Sequence, residues 1–407
     1  MERLKELQRS SGGPPPPAAS RPSYHPDAMD PGIAPAVLPT IEQGSGPGGL
    51  PFPNAGPPVC PVRTFNKPNK RPKRKRSFSE LPWSDYFTSK KSVEAGGDKF
   101  CVYTTGSGPT VLCLHGGGHS SLSWALFTAE LTQRASVTVV AIDQRGHGDT
   151  ETDNDQDLSA ETLSADVGRV WEALYPDPED RPPVILMGHS MGGAVAVRVA
   201  DQKLVPNIRG IVVIDVVEGS AMDALSAMQG VLKRRPQHFS SKRKAIEWIL
   251  KSGQLRNNES ARVSMGAQLK PYKKKEKENV AGEEGSLTAV QEEGDEENEE
   301  TTENGYTWRV DLAASEKYWS GWYSGMSKLF LSVPTPKLLL LAGPDRLDTE
   351  LTRAHMQGKF QVQMFNTAGH SVQEDLPEKV ADVVSSFLVR QRFAQGSYNP
   401  QTIRPCC

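Results

Sequence analysis

One serine in this chain is set among residues that could make it a nucleophile. Val184-Ile-Leu-Met-Gly-His-Ser-Met-Gly-Gly-Ala-Val-Ala-Val197 reads as a fully apolar strand ending at Met187, then Gly188-x-Ser190-x-Gly192, then a small-residue segment at helical spacing. A strand-to-helix corner of this kind holds its serine in strained backbone geometry and lifts the hydroxyl clear of the sheet edge. The residues two before and two after must be small enough to let strand and helix converge, and Gly188 and Gly192 meet that need. The N–H of Met191 opens the helix, where a developing oxyanion is stabilised. The bare pentapeptide is common by chance; the buried strand before it and the helix after it supply its meaning.

Such a serine needs a base, and the base needs an acid. His370, in Ala368-Gly-His370, follows the last expected strand, in a loop from which an imidazole reaches a serine at the sheet's carboxyl edge. His115, His147 and His189 compete for the role; His189 sits inside the corner itself, with its side chain expected to point elsewhere. In Gly116-Gly117-Gly118 the missing Cβ lets backbone approach a reacting carbonyl, and Gly117 is the candidate second oxyanion donor. The plain alternative is a glycine loop bending around Trp124. Spacing leaves the acid open: it favours Asp345, in Gly343-x-Asp345 after the penultimate strand, with Asp215 after the preceding strand as second candidate. Either could hold the imidazole in the required tautomer.

Ser190, acid, His370 is the chain order of an α/β-hydrolase, and the elements expected around these residues agree. Phe100–Thr104, Thr110–His115, Val137–Ile142, Gly210–Ile214, Pro336–Gly343 and Gln361–Phe365 read as strands. Several end in Gly-rich turns, as expected of a mostly parallel sheet with helices on both faces. Leu163, Val167, Val170, Trp171 and Leu174 line one face of a helix, and a closing helix opens at Pro377. About residues 217–335 read as a mostly helical cap insertion. Its aromatic group Tyr318, Trp319, Trp322, Tyr323 and Phe330 reads as packing rather than substrate contact.

Composition divides the chain further. Pro and Gly, 32 and 36 in number, concentrate toward the start, and residues 1–77 read as a disordered leader that ends in the basic run Lys70–Arg76. No aromatic residue interleaves that run to stack on bases, so nuclear import is the favoured reading over nucleic-acid contact. The hydrolase domain spans 78–393, with a charged disordered loop at 273–304, and 394–407 read as a flexible tail. The five cysteines lack C-x-x-C spacing, no secretory segment opens the chain, and no apolar run approaches a membrane span. A soluble protein of the cytoplasm and nucleus is expected, with no metal site.

From Phe78 to about Phe393 the chain resembles the eukaryotic protein phosphatase methylesterase family. The resemblance is carried by His115-Gly-Gly-Gly-His-Ser120, Leu122-Ser-Trp124, Gly188-His-Ser-Met-Gly-Gly193, Ile214-Asp-Val-Val-Glu-Gly219, Ala221-Met-Asp-Ala-Leu225, Glu316-Lys-Tyr-Trp319, Leu338–Gly343 with Asp345-Arg-Leu-Asp348, and Met356–Gln361. It implies that the acid is Asp215 and that Asp345 is structural. It implies hydrolysis of the methyl ester on the C-terminal leucine of the protein phosphatase 2A catalytic subunit, without a cofactor, and a stable complex that restrains the phosphatase. Within the charged loop, Leu287-Thr-Ala-Val-Gln-Glu292 resembles an L-x-x-I-x-E docking peptide, making Leu287, Val290 and Glu292 candidates for tethering to the holoenzyme. Rival readings are a small-molecule or lipid esterase, and a phosphatase-binding inhibitor in which turnover is secondary.

Overall fold

The computed structural model describes residues 77–272, 305–343 and 347–397, all within one compact unit, Pro72–Cys407. The leader, the basic run, the docking peptide, Asp345 and Cys406-Cys407 lie outside the described residues.

Eight strands form the central sheet: β1 (Ser89–Ala95), β2 (Asp98–Gly106), β3 (Thr110–Leu114), β4 (Thr138–Ile142), β5 (Val184–His189), β6 (Ile208–Ile214), β10 (Lys337–Leu341) and β11 (Gln361–Met364). Between β6 and β10 come three short strands, β7 (His238–Phe239), β8 (Leu269–Tyr272) and β9 (Gly305–Trp308). The large sheet runs β1-β2-β4-β3-β5-β6-β10-β11. β1/β2 and β2/β4 pair antiparallel, and every pair from β4 onward is parallel. All five residues of β3 and all six of β5 are buried, which is why both read as unbroken apolar runs.

Alternation along these strands divides the core into two layers. Leu112, Leu114 and Leu186 face the helices Ala160–Leu174 and Met191–Asp201, packing with Trp171, Val167 and Val195. Val111, Cys113, Ile185 and Met187 face Ala125–Arg134 and Pro377–Arg390, packing with Trp124, Phe127, Val384 and Phe387. Ser159 caps the helix Ala160–Leu174 by accepting from Thr162 N at 3.3 Å.

The insertion between β6 and β10 carries five α-helices among its described residues together with a second sheet, β7-β9-β8, that the sequence pattern did not disclose. Strands of two to four residues are too short for a period of two to stand out. Phe239, Ala245, Ile246, Ile249 and Met265 give this part its own small core, and Phe78 packs against it from the start of the folded region.

Residues 394–397, read from the sequence as part of a flexible tail, are instead tied down. Ser136 N donates to Gln395 O at 3.0 Å and Ser397 N donates to Arg134 O at 2.8 Å. Those backbone bonds fix the chain against the end of the helix Ala125–Arg134, a contact that composition does not show.

Candidate active site

Strand register determines what meets at the sheet's carboxyl edge. Leu114 pairs with Gly188, His189 with Ile214, and Ile214 with Leu340, so the residues that leave β3, β5, β6 and β10 emerge side by side. Ser190 follows β5 with φ 51 and ψ −120, a conformation non-glycine residues rarely hold. The corner closes tightly enough that a Cβ on Gly188 would lie 2.1 Å from Gly192 O, and one on Gly192 would lie 2.2 Å from Leu114 O. Asp215 leaves the adjacent strand in a similar left-handed turn, φ 49, held by its N–H donating to Leu340 O at 2.7 Å.

His370 stands between these two corners. Its Nε2 lies 3.0 Å from Ser190 Oγ and its Nδ1 lies 2.7 Å from Asp215 Oδ2. Asp215 Oδ1 accepts the Ala342 N–H at 2.8 Å, and its side chain is fully shut off from solvent. The carboxylate therefore fixes a proton on Nδ1 and leaves Nε2 free to accept from the serine. A base so placed can take the serine proton, and its cation would face a buried carboxylate that offsets its charge.

Ser190 opens into a cavity of about 150 Å³ lined by Gly117, Met191, Met228, Leu312, Trp319, Trp322 and Tyr323 among others. The aromatics expected only to pack do pack, Trp319, Trp322 and Tyr323 being at most 4% exposed, but they also wall this cavity. The Trp322 indole N–H donates to Leu158 O at 2.6 Å, and that of Trp319 donates to Ser315 Oγ at 2.8 Å. Both rings are thereby fixed in place. Burial pushes the Tyr323 hydroxyl up to about 12, and Tyr323 shares the cavity wall with Ser190. Of the glycine run, the Gly118 N–H is already committed to His147 Nε2 at 2.9 Å, whereas Gly117 lies on the cavity wall.

The Alpha/beta hydrolase family profile matches residues 111–383. Protein phosphatase methylesterase 1 of Mus musculus is 51% identical over 359 residues, covering 83% of this chain and 91% of the relative. The protein of the same name from Neurospora crassa is 35% identical, covering 86% and 87%. The chain belongs to the protein phosphatase methylesterase family. Among solved structures, E-2-(acetamidomethylene)succinate hydrolase superposes with a TM-score of 0.55 at 21% identity, covering 74% of this chain and 99% of that one, which is a likeness of fold alone.

In this methylesterase family member several residues around the site hold it through contacts that the sequence did not signal. His189 donates from Nε2 to His370 O at 2.9 Å, so the histidine inside the corner steadies the loop that carries the other. Asp375 accepts Gly369 N at 2.6 Å and Arg256 N at 2.8 Å, tying that loop to the insertion. His115 accepts Gln144 N at 3.0 Å, and His147 donates from Nδ1 to Arg145 O at 2.7 Å. Burial holds His115 and His189 well below the usual imidazole range and His147 at about 4, so all three stay neutral at neutral pH. Asp348, just beyond the candidate Asp345, caps the helix Thr349–Met356 by accepting Leu351 N at 2.8 Å, and also accepts Ser327 Oγ at 2.9 Å. No cluster of His, Cys, Asp or Glu suited to a metal ion occurs among the described residues. Cys101 and Cys113 are buried free thiols, and burial pushes Cys101 up to about 12. No helix among the described residues is long and apolar enough to cross a membrane.

Proposed function

We propose that this chain is a serine carboxylesterase that removes the methyl ester from the C-terminal leucine of the protein phosphatase 2A catalytic subunit, and that it binds and restrains that phosphatase. The observation that carries the chemistry is the hydrogen-bonded row from Ser190 Oγ through both nitrogens of His370 to Asp215. The substrate assignment is supported by the names of relatives that share about half of their residues with this chain.

In this reading Ser190 gives its proton to His370 Nε2 and attacks the ester carbonyl. The tetrahedral oxyanion accepts from the N–H of Met191 and the N–H of Gly117, while Asp215 offsets the imidazolium charge. His370 then protonates departing methanol. Water attacks the resulting acyl-enzyme by the reverse path and releases the free carboxylate. The small apolar cavity beside Ser190 suits one aliphatic side chain at the esterified end, and the peptide's remaining length leads outward past His370. Leu287, Val290 and Glu292 would tether the holoenzyme, and the basic run Lys70–Arg76 would admit the protein to the nucleus as well as the cytoplasm.

The test is incubation with methylated phosphatase followed by mass measurement of its C-terminal peptide. The peptide should lose the mass of one methylene with the wild-type protein and none with Ser190→Ala. That variant should still bind and inhibit the phosphatase. A methylated peptide untouched by wild-type protein that cleaves simple acyl esters would favour the small-molecule esterase instead.

A further inference from the structure

Among the described residues, Arg235 is a cation with no acid to meet it. Its guanidinium carbon lies 3.5 Å from the centroid of the Trp308 ring, and its Nε is closed off from solvent without a hydrogen-bond partner. Burial lowers its pKa to about 10. It stays charged at neutral pH. Removing a guanidinium from water is costly, and where no internal partner offsets the cost the charge is available to a ligand.

The position of Arg235 indicates which ligand. It lines a cavity of about 300 Å³ together with Ile249, Leu255, Gly117, His119 and His370. The last three also line the cavity that holds Ser190, so the two spaces adjoin. Glu374 is the acid of this wall, but it is 2% exposed and turned to His119, whose Nδ1 lies 3.2 Å away. Trp308 is itself held, its indole N–H donating to Pro236 O at 2.7 Å. Platform and cation are thus fixed next to each other before anything binds, which lowers the ordering cost of recognition.

An ester must present its carbonyl at Ser190, and that end of the substrate carries no charge. A carboxylate reaching Arg235 therefore belongs to a residue nearer the peptide's N-terminus. Resting on the esterase reading above, we infer that Arg235 is a specificity residue, an anion subsite that receives an acidic side chain of the peptide upstream of its esterified C-terminus. The β7-β9-β8 sheet, through Trp308 of β9, carries the ring on which the Arg235 guanidinium rests.

The probes are peptides ending in leucine methyl ester, with Glu, Gln or Lys in the three residues before it, measured for binding to Ser190→Ala protein. A charge-assisted bidentate contact predicts roughly tenfold tighter binding of Glu over Gln peptides, with Lys peptides weaker still. Arg235→Gln in the Ser190→Ala background should bring the Glu-to-Gln ratio to about one. Arg235→Lys should keep part of the preference, because it retains a point charge but not the planar fork. Equal binding of Glu and Gln peptides, or a ratio unchanged in Arg235→Gln, overturns the subsite. Should that variant not fold, the Glu, Gln and Lys series on Ser190→Ala protein and on its Arg235→Lys derivative decides by the same ratio. Methanol release by wild-type protein is scored separately: its absence with the ratio intact removes the esterase reading and leaves the subsite, and its presence with equal ratios does the reverse.

Discussion

Asp215→Asn exchanges one carboxylate oxygen for an amide nitrogen and should remove nearly all turnover. The carboxylate spans two donors, Ala342 N–H on Oδ1 at 2.8 Å and His370 Nδ1–H on Oδ2 at 2.7 Å. A carboxamide has one acceptor and one donor end, and the fixed backbone N–H of Ala342 dictates which faces which. The amide oxygen must take Ala342, so the amide nitrogen donates toward His370. Nδ1 then becomes an acceptor and the ring proton moves to Nε2, opposite Ser190. The serine is left without a base, and no carboxylate remains to offset an imidazolium. Loss of the base by wrong tautomer costs about 10⁴ in kcat, equivalent to about 5.5 kcal/mol in the barrier. The fold should survive, because asparagine accepts the left-handed backbone of this position, φ 49. The assay is kcat and KM on a leucine methyl ester peptide, paired with a thermal melt and with Asp345→Asn as the comparison. A loss below about tenfold in Asp215→Asn with an unchanged melt, together with a large loss in Asp345→Asn, would refute the reasoning and move the acid to the other loop.

Gly192→Ala places a Cβ 2.2 Å from Leu114 O, a backbone atom that cannot swing away; a loss of about 3 kcal/mol or more is expected, visible as a lower denaturation midpoint. Acid stability should depend on the buried histidines. His147 is held at about 4 against an ordinary 6.5, so the unfolded chain binds its proton first and stability falls as pH drops from about 6.5 toward 4. That single group accounts for about 3 kcal/mol over the window, and His147→Gln should flatten the pH slope of denaturant unfolding while lowering stability at about pH 7. Replacing Leu287 and Val290 by Ala should weaken capture of phosphatase holoenzyme in a pull-down without slowing hydrolysis of a short peptide ester; undiminished capture would dismiss the docking peptide.

Much of the architecture could be read from residue patterns because its central strands are buried on both faces. β3 and β5 announce themselves as apolar runs, whereas β1, Ser89–Ala95, is an edge strand with mostly exposed polar residues and gives no comparable signal. Ser190 and His370 were legible through their corner and their place after the last strand. The acid was not, since Asp215 and Asp345 both follow strands that end on the same edge and spacing carries no direction. The left-handed turn that aims Asp215 at the imidazole depends on pairing with β10, which a one-dimensional pattern lacks. The supporting contacts of Asp375 and His189 escaped for a related reason. Each acts through a backbone group of the His370 loop, and no residue type or interval advertises such a contact.

Both corners, the one at the serine and the one at its distal carboxylate, have φ near +50, on neighbouring strands. Backbone of positive φ admits glycine far more readily than branched side chains. A descendant of this chain that kept the fold without the chemistry could not drift freely at either place. Its pseudoenzyme signature would be a short alphabet at positions 190 and 215, dictated by chain geometry after chemistry had ceased to matter.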